Sequence, residues 1–244
     1  MADPTWMLLG ATVGALGGVV GPQVVARLPD RRTAALDDED VAPDRSVVGP
    51  TYRELADWPP LRAVLVPAGA FVGGLLGWAR AGEPDLPAFL ALGVAGVLLG
   101  YVDVRVHRLP DRLTGPSLGV GAVLLGLAAL AEPYGAGDLL RAGAGALALC
   151  AFYLVLHVVN PQGLGLGDVK LAAPLGLHLA WLGWGQLVLG AFLGFLLGGL
   201  VGVALILMRR AGLRSMLPFG PSMLVAALLT VVWGEPLADA YLGR

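Results

Sequence analysis

The chain has 244 residues, of which 57% are hydrophobic and only 14% charged, with a formal net charge of −2. A mean hydropathy of +0.76 excludes an ordinary soluble domain of this size, and the nearly balanced charge gives no footprint for a nucleic-acid partner. The single cysteine, Cys150, excludes a disulfide within the chain and a cysteine zinc cluster, and reads as a small buried apolar residue.

A helix needs about 20 mostly apolar residues to cross a bilayer. In chain order such stretches run over residues 5–26, 62–80, 87–103, 116–132, 139–159, 169–184, 186–208 and 217–234. The expected fold is therefore all-α: a polytopic membrane protein with about eight transmembrane helices embedded in the lipid bilayer. The first stretch lacks the basic flank of a secretory signal and is expected to be a retained span. Between the first and second spans lies a polar, proline-containing insert, 27–61, too polar for lipid and expected to be a loop with short helices at most. This divides the chain into a two-helix N-terminal region, 1–86, with a cysteine-free loop, and a six-helix membrane-embedded domain, 87–244. Gly69, Gly73 and Gly77, and again Gly190, Gly194, Gly198 and Gly202, recur every four residues and so line single helical faces. Such small-residue stripes let helix backbones approach closely in lipid, within one chain or between chains alike.

The basic residues are unevenly placed. All but Arg80, Arg141 and Arg244 of the 16 fall in the first, third, fifth and seventh connections. Basic loops stay in the cytoplasm, so both termini are expected on the non-cytoplasmic side. One short echo accompanies this pattern: Arg27-Leu-Pro-Asp-Arg-Arg-Thr33 matches Arg108-Leu-Pro-Asp-Arg-Leu-Thr114 at six of seven positions. Only the second copy has an acid, Asp103, in the preceding span. The first reads as a stop-and-turn at a membrane edge, where arginine meets headgroups and proline opens the next segment.

Two aspartates stand out against this background. Asp103 lies in Tyr101-Val-Asp-Val-Arg-Val-His-Arg-Leu-Pro-Asp111, where the third span leaves the membrane, and Asp168 in Gly163-Leu-Gly-Leu-Gly-Asp-Val-Lys-Leu171, opening the sixth. A carboxylate beside lipid is costly and is usually kept for function. The charge count puts both on the cytoplasmic face. Asp111, after Pro110, sits where a helix N-terminus favours an acid for structural reasons alone, so Asp103 is the preferred reactive group. Gly165 and Gly167 before Asp168 allow unusual backbone angles or close approach of another segment, with Lys170 two residues beyond. The run is not a phosphate-binding loop, because the Gly-Lys-Ser/Thr ending is absent. Nor is it a dinucleotide fingerprint, because no strand-turn-helix unit surrounds it. Two adjacent carboxylates cannot easily both ionise. The ionised one can take a proton from water attacking a peptide carbonyl while the protonated one polarises that carbonyl. His107, His157 and His178 are dispersed and form no ligand cluster; His157 and His178 read as packing or interfacial residues.

The pairing of these two motifs resembles the type IV prepilin leader peptidases, membrane aspartic proteases of the Gly-x-Gly-Asp kind. Leu217-Pro-Phe-Gly-Pro-Ser222 is similar to that family's element before its last helix, and residues 14–29 are a degenerate likeness of its N-terminal segment. The resemblance implies an endopeptidase of the bacterial cell membrane with Asp103 and Asp168 as catalytic aspartates. Its implied substrates are prepilins and pseudopilins, whose short basic leader is cut on the cytoplasmic side before a hydrophobic segment. Proteolysis of this kind uses no cofactor. Many members carry two Cys-x-x-Cys pairs associated with zinc in the first cytoplasmic loop; insert 27–61 has none, so zinc is not expected. Such members also methylate the new N-terminus with S-adenosylmethionine, and that activity stays open here. Two other classes of protein could use the same residues: an ion-coupled transporter with the two aspartates as a proton relay, which predicts acids near the bilayer midplane, and an inactive scaffold of a pilus machine.

Overall fold

The computed structural model describes residues 3–28, 51–58, 60–106, 109–131, 133, 135–161, 163–208 and 219–242, with side chains described as far as Gly234. Within them every regular element is a helix: α1 (Pro4–Ala26), α2 (Tyr52–Ala56), α3 (Leu61–Ala79), α4 (Leu86–Val106), α5 (Asp111–Ala129), α6 (Gly135–Val159), α7 (Leu166–Leu182), α8 (Trp184–Leu207) and α9 (Gly220–Leu242). Six of these, α1, α3, α4, α5, α6 and α8, are long and apolar enough to cross a membrane. This is the make-up of a multi-pass membrane protein. The other two expected spans correspond to α7, which is 17 residues long, and to α9, whose apolar part runs over Gly220–Gly234. The first copy of the Arg-Leu-Pro-Asp echo beyond Leu28, most of insert 27–61, His107, Arg108, Leu217 and Pro218 lie outside the described residues.

Local chemistry explains several boundaries. The Asp3 carboxylate accepts the Thr5 N–H at 2.9 Å and caps α1, with Pro4 at the first helical position. Thr51 and Glu54 close a reciprocal capping box on α2: Thr51 Oγ1 accepts the Glu54 N–H at 3.2 Å and Glu54 Oε2 accepts the Thr51 N–H at 2.7 Å. One short helix thus stands in the largely loop-like insert, and its Leu55 is buried against Val25, Leu28 and Val102. Between α7 and α8 there is no loop, only Gly183 with φ 151°, a conformation that side-chain-bearing residues rarely adopt.

The Gly69/Gly73/Gly77 stripe of α3 packs on Gly10 and Gly14 of α1. A Cβ added at Gly10 or Gly14 would overlap the facing carbonyl of Gly73 or Gly69, so the two backbones meet without side chains between them. The α8 stripe also packs inward, Gly190 on Leu179, Gly194 beside Met223 and Gly198 on Phe219.

One end of the bundle is tied by a buried polar network. Asp85, just ahead of α4, is 2% exposed. It accepts two bonds from Arg80, at 3.0 and 2.6 Å, and one from the Trp181 indole at 2.8 Å. Arg141 donates to the carbonyls of Ala180 and Trp181 at the end of α7 and pairs with Asp138 at 2.7 Å, meeting the negative end of that helix. His178, fully buried, lies with its ring nitrogens against the carbonyls of Pro174 and Ala88. Arg80 and Arg141, set apart from the other basic residues by the charge count, thus share one end, while Asp103 lies 18 residues along α4, about 27 Å away at 1.5 Å per residue. Asp85→Ala takes from the largely buried Arg80 its near carboxylate, leaving Glu83 at 4.0 Å, and takes from the Trp181 indole its acceptor. It is expected to cost about 3–5 kcal/mol, read as a clear drop in Tm in detergent.

Candidate active site

The opposite end assembles from the end of α4 and the starts of α5, α7 and α9. Asp103 is three residues from the last residue of α4 and 4% exposed; Asp168 is the third residue of α7 and 7% exposed. Asp168 Oδ2 accepts the Gly165 N–H at 3.1 Å, the return bond of an acid in the first helical turn. Asp103 is close enough for its charge to act on Asp168.

Leu109 lies between the glycine that precedes Asp168 and the glycine that faces Asp103. A Cβ added at Gly167 would sit 3.0 Å from Leu109 Cβ and 3.4 Å from its Cδ1; one added at Gly220 would sit 3.4 Å from the same Cδ1 and 2.7 Å from Asp103 Oδ2. A single leucine therefore fills the space between the glycine before Asp168 and the glycine against Asp103. The bare Cα atoms of Gly167 and Gly220 allow this. Glycines in such a motif can serve unusual backbone angles as well as close approach. Among the described residues positive φ occurs only at Gly82 and Gly183, and Gly165 has ordinary extended angles, φ −74° and ψ 152°. Space, not backbone conformation, is what Gly167 provides.

The remaining motif residues frame the site. Pro110 precedes α5 in extended conformation, and its carbonyl accepts the Leu113 N–H at 2.9 Å. Asp111 opens α5 on the surface, its side chain 71% exposed, and pairs with Lys170 at 2.6 Å. This exposed pair links the starts of α5 and α7, and pairs of its kind are worth ~0–1 kcal/mol. Asp111 is thus exposed in the first turn of α5, whereas Asp103 and Asp168 are buried.

Sequence reasoning missed three neighbours. His157, in the last turn of α6, faces the Leu164 carbonyl through Nδ1 at 2.7 Å and so pins the glycine run that leads to Asp168. Its position seven residues before that carbonyl, at a helix C-terminus, was the available signal. Tyr153 is 1% exposed, near enough to Asp168 to feel its charge, and stacks on Phe195 with ring centroids 5.3 Å apart. Phe219, next to Gly220, packs on the same two rings. Leu109 itself gave no signal, being one leucine among many. No three His, Cys, Asp or Glu side chains among the described residues are grouped as a metal ion would need.

Residues 89–203, from α4 into α8, match the type IV leader peptidase family. The prepilin leader peptidase/N-methyltransferase of Aeromonas salmonicida (strain A449) is 36% identical over 147 residues, 60% of this chain and 49% of that relative. The protein of the same description from Pseudomonas aeruginosa is 32% identical over 178 residues, 72% of this chain and 59% of that relative. Leader peptidase HopD of Salmonella typhimurium is 38% identical over 151 residues and is covered over 92% of its length. The chain belongs to the type IV leader peptidase family. It spans about half the length of the longer relatives that it matches, 49% for the Aeromonas protein. No solved structure matches. Within this leader peptidase family member, both aspartates and Leu109 fall inside the family-matched region, and Gly220 lies beyond it.

Proposed function

We propose that this chain is an endopeptidase that removes the leader peptides of type IV prepilins or pseudopilins at the cytoplasmic face of the cell membrane, with Asp103 and Asp168 as its dyad. The observation that carries this reading is the convergence of two buried carboxylates, 65 positions apart in sequence, at one end of the bundle, where Leu109 packs against the glycine beside each. Their position within a turn of helix ends suits a cut at the membrane edge; a proton relay through the bilayer would need acids near the midplane.

The proposed step uses the unequal protonation of two close carboxyls. The ionised carboxylate takes a proton as water oxygen attacks the scissile carbonyl carbon, while the protonated partner donates to the carbonyl oxygen. Collapse of the tetrahedral diol breaks the C–N bond: the departing nitrogen takes up the proton held by the first carboxyl, and a diol hydroxyl returns its proton to the second as C=O re-forms. The products are a leader with a free carboxylate and a mature chain with a free amine. The dyad supplies both acid and base.

The test is incubation of the purified protein with candidate prepilins in lipid, followed by mass spectrometry of product N-termini. A single cut after the basic leader supports the reading, and intact substrate after prolonged incubation with a properly folded enzyme overturns it. The same spectrum reads whether a methyl group, the second activity in the names of the longer relatives, is added to the new amine.

A further inference from the structure

One peptide group joins the end of α6 to the carboxylate of Asp168. His157 Nδ1 lies 2.7 Å from the Leu164 carbonyl oxygen. That oxygen can only accept, so Nδ1 carries the hydrogen and donates it. The N–H on the other side of the same peptide belongs to Gly165 and donates to Asp168 Oδ2 at 3.1 Å. His157, the Leu164–Gly165 peptide and Asp168 thus form one line of donors and acceptors that ends on a carboxylate. A histidine that served only to close α6 would reach one of that helix's own last carbonyls. This one reaches seven residues ahead, into the turn before α7.

The surroundings hold this line in place. α6 lies directly on α7: a Cβ added at Gly145 would sit 3.0 Å from the Gly176 carbonyl oxygen, and one at Gly176 would sit 2.6 Å from that of Gly145. The N–H groups of Gly163 and Leu164 both donate to the Asn160 carbonyl, at 3.0 and 3.4 Å, and Leu164 is buried. Donation to a carbonyl oxygen polarises the peptide and strengthens its N–H as a donor. A stronger bond to Oδ2 favours the charged form of the carboxyl. The helices act in the same direction. Asp168 lies in the first turn of α7, at the positive end of its dipole, and Asp103 in the last turn of α4, at a negative end.

We infer that His157 is a positioning residue: through the Leu164–Gly165 peptide it holds the Asp168 carboxylate in place and ionised, making Asp168 the base of the pair and Asp103 the acid. The inference rests on the cleavage reading above and adds which aspartate plays which part. Asp168 then takes the proton of the attacking water, and Asp103 holds the proton offered to the scissile carbonyl. Among the described residues, the other ionisable side chains near Asp168 are Asp103 of α4 and Tyr153 of α6. Lys170 pairs with Asp111 of α5 at the surface. An ionised Asp103 would oppose an ionised Asp168, and a proton on Asp103 removes that conflict.

Two measurements test it. His157→Phe keeps a ring and removes the donor; His157→Asn returns a donor, its Nδ2 standing where the imidazole Nδ1 stood. With prepilin in phosphatidylethanolamine/phosphatidylglycerol vesicles, the kcat of His157→Phe is expected to fall about tenfold, with KM little changed. The acid limb of its kcat profile, which belongs to the coupled pair, should move up by about half a pH unit. The sign follows because a weaker bond to the charged form makes Asp168 easier to protonate. His157→Asn should recover most of the lost kcat and bring the limb back toward its wild-type position. In protein isotope-labelled at aspartate Cγ and followed by carbon NMR, the Asp168 resonance is assigned by its loss in Asp168→Asn. It should titrate at higher pH in His157→Phe than in the wild type. An unmoved titration, or a fall in Tm with kcat and pH profile preserved in the folded fraction, would overturn the inference and make His157 a packing residue at a helix end. A titration that moves in a protein that cuts no prepilin would support the role of His157 and reject the cleavage reading instead.

Discussion

Asp103→Asn and Asp168→Asn are each expected to lower prepilin cleavage by on the order of 10³-fold or more, since each removes one partner of the proposed acid–base pair. Protein level and Tm should change little, because asparagine keeps the shape of either side chain. At Asp168 the amide oxygen can still accept the Gly165 N–H. The double variant is expected to be no slower than the worse single one, because groups that act as a unit are not additive. Asp111→Asn is the internal control: it weakens one exposed ion pair with Lys170 and should retain most activity. Values of kcat/KM for the four proteins, measured with a reconstituted prepilin, decide the matter. Full cleavage by either single dyad variant removes the dyad, and a dead Asp111→Asn beside an active Asp103→Asn would shift the choice of first aspartate.

How far the sequence reached depends on whether the governing physics is local. Span positions follow from stretches of apolar residues, so α1, α3, α4, α6 and α8 lie close to the expected segments. The start of α5 was placed five residues late, because its first turn, Asp111-Arg-Leu-Thr114, is polar and reads as loop. Asp103 and Asp168 were legible because an acid beside lipid is rare whatever its partners. The Thr51-x-x-Glu54 capping signature was equally local, but it sits within a polar insert where a five-residue helix carries no hydrophobic periodicity. Asp85, Arg80 and Trp181 were not legible as a network, because Asp85 and Trp181 are 96 positions apart and nothing near either residue announces the other. Leu109 shows the limit most clearly. Its role between Gly167 and Gly220 comes from three segments meeting, and a leucine in such a chain has no distinguishing chemistry.

Gly220→Ala separates a glycine needed for stability from one needed to place a reacting group. The added Cβ would lie 2.7 Å from Asp103 Oδ2 and 3.3 Å from its Cγ, too close for either atom to stay where it is. The group that gives way is the end of a short side chain and not a backbone carbonyl, so the fold is expected to absorb the change with a small loss in Tm. The carboxylate, however, must move by several tenths of an ångström or turn, and misplacement of about 1 Å at a reacting centre can cost on the order of 10²-fold. The expected result is therefore a kcat lowered by about that factor with KM much less affected. Gly115→Ala is the matched control, since a Cβ at this α5 position has nothing within 4 Å and alanine is the better helix former; it should leave kcat unchanged and Tm equal or higher. Wild-type kcat in Gly220→Ala would mean that the close packing of α9 on Asp103 has no part in setting the carboxylate's position. A large fall in Tm with kcat preserved in the folded fraction would make Gly220 a packing residue only. A selective loss of kcat would extend the site from two aspartates to the α9 turn that holds one of them in place.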